Sequence, residues 1–166
     1  MIAPAATTAP VNIWRIATDT TAYVADDRTG AGAKATGGRW NRAGTAMLYC
    51  AESVALACLE TLVHLKTGML PLNRYLVRIE VPPEVWAAAL EFDRTAHAGW
   101  DALPYGMVSE QAGEAWVASG ASLLYRVPSV VIPEEANILI NPQHADMVKL
   151  GFHKSATRWT YDSRLK

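Results

Sequence analysis

Between Ala46 and Leu65 the chain changes its hydrophobic period, and this change restricts the fold more than any other feature. Ala46 to Ala51 (AMLYCA) is a continuous apolar run of strand length. From Ser53 to Leu65 the period becomes helical: Leu56, Leu59 and Val63 recur at i, i+3 and i+7, and Leu62 widens the stripe. The chain is therefore mixed, of the α+β class. Val11 to Ile16 predicts a strand, and Tyr75 to Val81 (YLVRIEV) alternates as a half-buried strand should before Pro82-Pro83 stops it. Ser109 to Ala118 predicts a helix, Ala121 to Tyr125, Ser129 to Ile132 and Asn137 to Ile140 predict strands, and Asn141-Pro142 a turn. The basic end of the chain, from Lys149, reads as a final solvated strand.

A chain of 166 residues suits one domain that buries roughly two thirds of the surface of its unfolded form. No repeat or linker divides it, so residues 1–10 are expected as a flexible leader and residues 11–166 as the domain. The leader is apolar but short, lacks a basic start and is broken by Pro4 and Pro10; it predicts neither a signal peptide nor a membrane span. A net charge of -1 gives no reason to expect capture of nucleic acid. Cys50 and Cys58 form no CxxC pair, which favours free thiols in a reducing cytoplasm.

The common catalytic motifs are missing. The glycines form neither GxGxxG nor GxxxxGK[ST], no GxSxG elbow exists, and His64, His97, His144 and His153 have no metal-ligand spacing. Residues 18–38 are a polar, glycine-rich stretch expected to be loop, and five of the eleven glycines lie between Gly30 and Gly44. Gly37 and Gly38 permit a sharp turn, and Arg39 follows with a planar fork suited to phosphate or carboxylate; it is either an anion clamp or the partner of a surface carboxylate. On a helical wheel that sets Leu56 at zero, Glu60 falls at about 40°, at the margin of the apolar arc. A carboxylate there either pairs with a basic residue or lines a pocket. Tyr49, in the preceding strand, is either a core aromatic or a platform for a flat ring.

These pieces resemble the RES-domain family, the toxin components of bacterial toxin-antitoxin pairs. The likeness runs through WRI at Trp14 to Ile16, GGRWN at Gly37 to Asn41, LYCAES leading into ALACLETLVHL, VPSVVIP at Val127 to Pro133, NILINPQH at Asn137 to His144, and the closing YDSRL. Thr36-Gly37-Gly38 departs from the Ser-Gly pair common in the family, while no charged site residue is altered. On that resemblance the family's Arg, Glu and Ser map to Arg39, Glu60 and Ser129, with Arg15 and Tyr49 as further pocket residues.

The resemblance implies an ADP-ribosyltransferase-like fold, a mixed β core flanked by helices, with NAD as substrate and no metal. It implies cleavage of the nicotinamide-ribose bond by glycohydrolysis or phosphorolysis, or alternatively mono-ADP-ribosylation of a host protein. Glu60, Arg39 and Tyr49 are then expected to be catalytic, and Arg15, Arg39, Trp40, Asn41, Tyr49, Ser129 and Asn137 to bind the dinucleotide. It further implies a cytoplasmic toxin whose pocket is covered by an Xre-like antitoxin, in a hetero-oligomer containing a toxin homodimer, with no direct contact to nucleic acid or membrane. Whether Arg28 joins the site is not legible from the sequence.

Overall fold

The computed structural model describes residues 8–65 and 70–165. Most of the expected leader, residues 1–7, lies outside the described residues, and residues 8–10 are exposed. The strands are β1 (Val11–Thr18), β2 (Leu48–Ala51), β3 (Arg74–Val81), β4 (Leu90–Glu91), β5 (Leu124–Pro128), β6 (Ala136–Ile140) and β7 (Gly151–Lys154). The helices are α1 (Ala31–Thr36), α2 (Val54–Leu62), α3 (Pro83–Ala87) and α4 (Met107–Ser119). The described strands form a single sheet in the order β4-β5-β6-β2-β1-β3-β7. All its pairings are antiparallel except β4 with β5. The fold is α+β with a mixed sheet, as the period change predicts.

Strand alternation sorts the core onto two faces. Ile13, Val77, Ile79, Leu124, Ile138 and Ile140 pack on one face, closed over by Val85 of α3 and by Met147 and Leu150. On the other face, Trp40, Trp100, Trp116, Val127 and Leu139 pack under α4, while Ile16, Ala51, Leu56 and Leu62 pack under α2. α4 sits unusually close to the chain beneath it. A Cβ added to Gly113 would lie 1.8 Å from the Trp40 carbonyl oxygen, so only glycine allows this approach.

The sheet parts in its middle. β1 pairs with β3 along eight residues but meets β2 only at Trp14 opposite Ala51. Beyond that point β1 and β2 diverge, and a cavity occupies the space.

Several expectations are corrected. The polar stretch 18–38 is not all loop: α1 forms within it, because Gly30 turns the chain with φ 72° and Asp27 Oδ2 accepts from the Ala31 amide at 3.1 Å. Six residues without an apolar stripe leave no period to detect. Pro82-Pro83 ends β3 as expected but also starts α3, since proline at the first helical position needs no amide partner. Ser129 to Ile132 is not a strand. The Ser129 hydroxyl accepts from the amides of both Val131 and Ile132 at 3.0 Å, which removes them from any ladder. The strand expected at Ala121 to Tyr125 runs instead over β5, and Val63, placed in the helix stripe, caps α2 and is 56% exposed.

Candidate active site

Glu60 reaches the cavity because α2 starts where it does. Ser53 is its N-cap: the side chain accepts from the Leu56 amide at 3.0 Å and donates to Glu135 Oε2 at 2.9 Å. Two turns later, Glu60 faces the sheet at the point where β1 and β2 part. Its partners are neutral. Oε1 accepts from Ser129 Oγ at 2.8 Å and from Asn137 Nδ2 at 2.5 Å, and Oε2 has no hydrogen bond among the described residues. The Ser129 proton must point at Glu60, because the hydroxyl's lone pairs already take the Val131 and Ile132 amides. Glu60 forms no ion pair among the described residues, so of the two readings of a boundary carboxylate, the pocket is the one observed.

The cavity has a volume of about 540 Å³, within the range of small-molecule sites. Arg15, Arg39, Tyr49, Glu60, Arg74 and Asn137 all line it. Alternation puts Tyr49, Ala51, Asn137, Trp14 and Ile16 on the face under α2, and Arg15 on the opposite face. Arg15 still borders the cavity, where the parted strands open the sheet; its Nη1 is buried without a hydrogen-bond partner among the described residues.

Arg39 is neither free nor paired with a surface carboxylate. Its Nη1 donates to the carbonyls of Trp100 at 3.0 Å and Ala102 at 3.1 Å, and its guanidinium lies 5.7 Å from the centre of the Tyr105 ring. Burial lowers its pKa, and the charge of Glu60 acts in the opposite direction. The two groups therefore feel one another across the cavity.

Tyr49 sits at the wall with its hydroxyl engaged: it accepts from the Trp40 amide at 3.0 Å and donates to Asn41 Oδ1 at 2.7 Å. Burial raises its pKa above the usual phenol value. Gly38 must lack a side chain, since a Cβ would lie 2.7 Å from the Tyr49 oxygen. Gly37 supplies the turn with φ 71°.

Three expected binding residues are placed differently. Asn41 is buried, and its Nδ2 donates to the carbonyls of Ala33, Arg42 and Thr45; it braces the turn and does not border the cavity. The Trp40 ring is 2% exposed and packs with Phe92 and Trp100, so this residue serves the core, although part of it borders the cavity. Ser129 is wholly buried, does not line the cavity and meets it only through its hydrogen bond to Glu60. Arg28 lies over the Phe152 ring at 4.7 Å, away from the cavity lining. Arg74 was not expected, because its strand signal begins at Tyr75 and a single arginine at a strand start carries no motif. A smaller depression of about 200 Å³ at the β4–β5 edge is also charged, but there Arg126 is paired with Glu91 at 2.5 Å.

A carboxylate braced by neutral donors stands with guanidinium groups around one cavity in a parted sheet, an arrangement that offers an acceptor to hydroxyl groups and donors to an anion. The RES domain matches residues 12–162, and the chain belongs to that family. It is 54% identical over 155 residues to a protein of Sphingobium sp. named "Prs ADP-ribosylating toxin", covering 93% of this chain and 96% of the relative. It is 34% identical to "Toxin Res" of Yersinia enterocolitica, covering 87% and 93% of the two chains. In fold it is similar to a chain from the Mycobacterium tuberculosis MbcT-MbcA toxin-antitoxin complex, with a TM-score of 0.61 over 87% of this chain and 81% of that one, at 17% identity.

Proposed function

We propose that this protein is the toxin of a toxin-antitoxin pair and that it cleaves the bond between nicotinamide and ribose in NAD. The observation that carries this reading is Glu60, whose Oε1 is held by Ser129 and Asn137 while Oε2 is left for a substrate hydroxyl. When the glycosidic bond breaks, its electron pair leaves with nicotinamide, which becomes neutral and needs no general acid. Positive charge then spreads over the ribose carbon and ring oxygen, as in glycoside hydrolysis. Glu60, hydrogen-bonded to a ribose hydroxyl, stabilises that charge by an amount on the order of 3 kcal/mol in a site shielded from water. Arg15, and Arg39 with the donors that Trp100 and Ala102 leave free, hold the pyrophosphate. Tyr49 packs against the nicotinamide ring.

The acceptor completes the reaction by adding a lone pair to the ribose carbon and losing a proton. The name of the Sphingobium relative favours a protein as acceptor, and water or inorganic phosphate are the other readings. Incubating the purified protein with NAD labelled on its adenine side separates them. Label on a protein band identifies a transferase, whereas free ADP-ribose or its phosphate identifies a glycohydrolase or phosphorylase. Intact NAD in every mixture, with candidate targets present, refutes the reading. In the cell, the proposed partner is an Xre-like antitoxin that covers the cavity in the cytoplasm.

A further inference from the structure

Among the described residues, most arginines whose side chains make a hydrogen bond are bound to carboxylates: Arg42 to Glu110, Arg78 to Glu80, Arg126 to Glu91 and Arg164 to Asp162. The cavity arginines differ. Arg39 gives Nη1 to two backbone carbonyls, while Arg15 and Arg74 form no ion pair among the described residues. Arg15 Nη1 and Arg74 Nε are both buried without a hydrogen-bond partner among the described residues. Both residues border the same cavity. A buried cationic donor with no acceptor is costly, and a bound anion removes that cost.

The two residues are near one another along the strands. Arg74 pairs across the sheet with Thr18, three residues along β1 from Arg15, so the two backbones are on the order of 10 Å apart. Alternation puts Arg74, opposite Thr18, on the α2 face and Arg15 on the other, so the two side chains reach the cavity from the two faces of the sheet, where the parted strands open it. We infer that Arg74 is a further binding residue that, with Arg15, forms the pyrophosphate corner of the cavity, beside the donors that Arg39 leaves free of Trp100 and Ala102. This rests on the NAD reading above and assigns a residue to it.

ADP is the probe, because it carries the pyrophosphate without the bond to be cleaved; adenosine is the control. By titration calorimetry, Arg74→Gln is expected to weaken ADP about 10- to 100-fold, the range for a hydrogen bond to a charged group. Adenosine binding should change less than about twofold. The slope of log Kd against log salt should also fall, which a purely structural role would not cause. Arg74→Lys, which keeps the charge and the strand, is expected to lose less than Arg74→Gln. Equal ADP affinity in Arg74→Gln and the parent overturns the inference, and so does an equal loss for adenosine. If the parent cleaves NAD in either case, the proposed function stands without Arg74; if the parent neither binds ADP nor cleaves NAD, both fall.

Discussion

Ser129→Ala tests the core of the site, because one hydroxyl makes three hydrogen bonds there. It donates to Glu60 and accepts from the amides of Val131 and Ile132. Two part-buried amides that lose their acceptor cost about 0.5–1.5 kcal/mol each, and a hydrogen bond to a carboxylate is worth about 1.5–3 kcal/mol. The simple sum is about 2.5–6 kcal/mol. Residues 130–132 are only partly buried, so water recovers part of the loss, and a net destabilisation of about 2–4 kcal/mol is expected. For a chain of this size that lowers Tm by roughly 5–15 °C in a calorimetric scan. The carboxylate also loses a fixed donor, so kcat for NAD consumption should fall more than KM rises. In a Glu60→Gln background the hydroxyl meets a neutral acceptor, and the same substitution should cost about 1 kcal/mol less. A Ser129→Ala protein that melts with the parent, or an equal cost in both backgrounds, would show that Ser129 does not hold Glu60.

Glu60→Gln keeps an oxygen for Ser129 and Asn137, so melting should shift little while NAD turnover falls about 100- to 1,000-fold; turnover within a few-fold of the parent removes Glu60 from the chemistry. Gly113→Ala gains about 1 kcal/mol of helix propensity but forces backbone against backbone at Trp40, so a net loss of at least about 2 kcal/mol is expected in urea denaturation. Asp19 has its pKa lowered, first by the hydrogen bond from Lys154 and then by the Ala25 amide. Folding therefore favours the ionised form: its contribution is present above the ordinary value of 3.8 and disappears as pH falls through the lower folded value. Asp19→Asn should flatten the acid side of the Tm–pH curve, and an unchanged curve would refute that linkage.

The legible parts of this chain are those where one segment carries its own signal. β1, β2, β3, β6, α2 and α4 all show a period or a stop residue, and each stands within a few residues of its expected place. The elements that escape are short or depend on distant partners. β4 has two residues and exists by pairing with β5, and α3 is a consequence of a proline that reads equally as a stop. In the site, the wheel position of Glu60 placed it at a margin but not opposite Ser129, 69 residues away. Asn41 and Trp40 stood inside the right motif, yet a motif does not reveal which side chains face inward. Tyr49 shows why: its hydroxyl is occupied by the Trp40 amide and Asn41, a fact of packing across the turn. Arg74 was silent because an unpaired guanidinium is visible only once its surroundings are known.

The braced carboxylate has a consequence for biosynthesis. Glu60 precedes one donor by 69 residues and the other by 77, so a nascent chain that has not reached Asn137 lacks part of this group. A ribosome that stalls anywhere before that point releases a fragment lacking its active centre. If the protein acts as proposed, harm to the producing cell begins only once synthesis has passed Asn137, and that point bounds the time in which an antidote must be at hand.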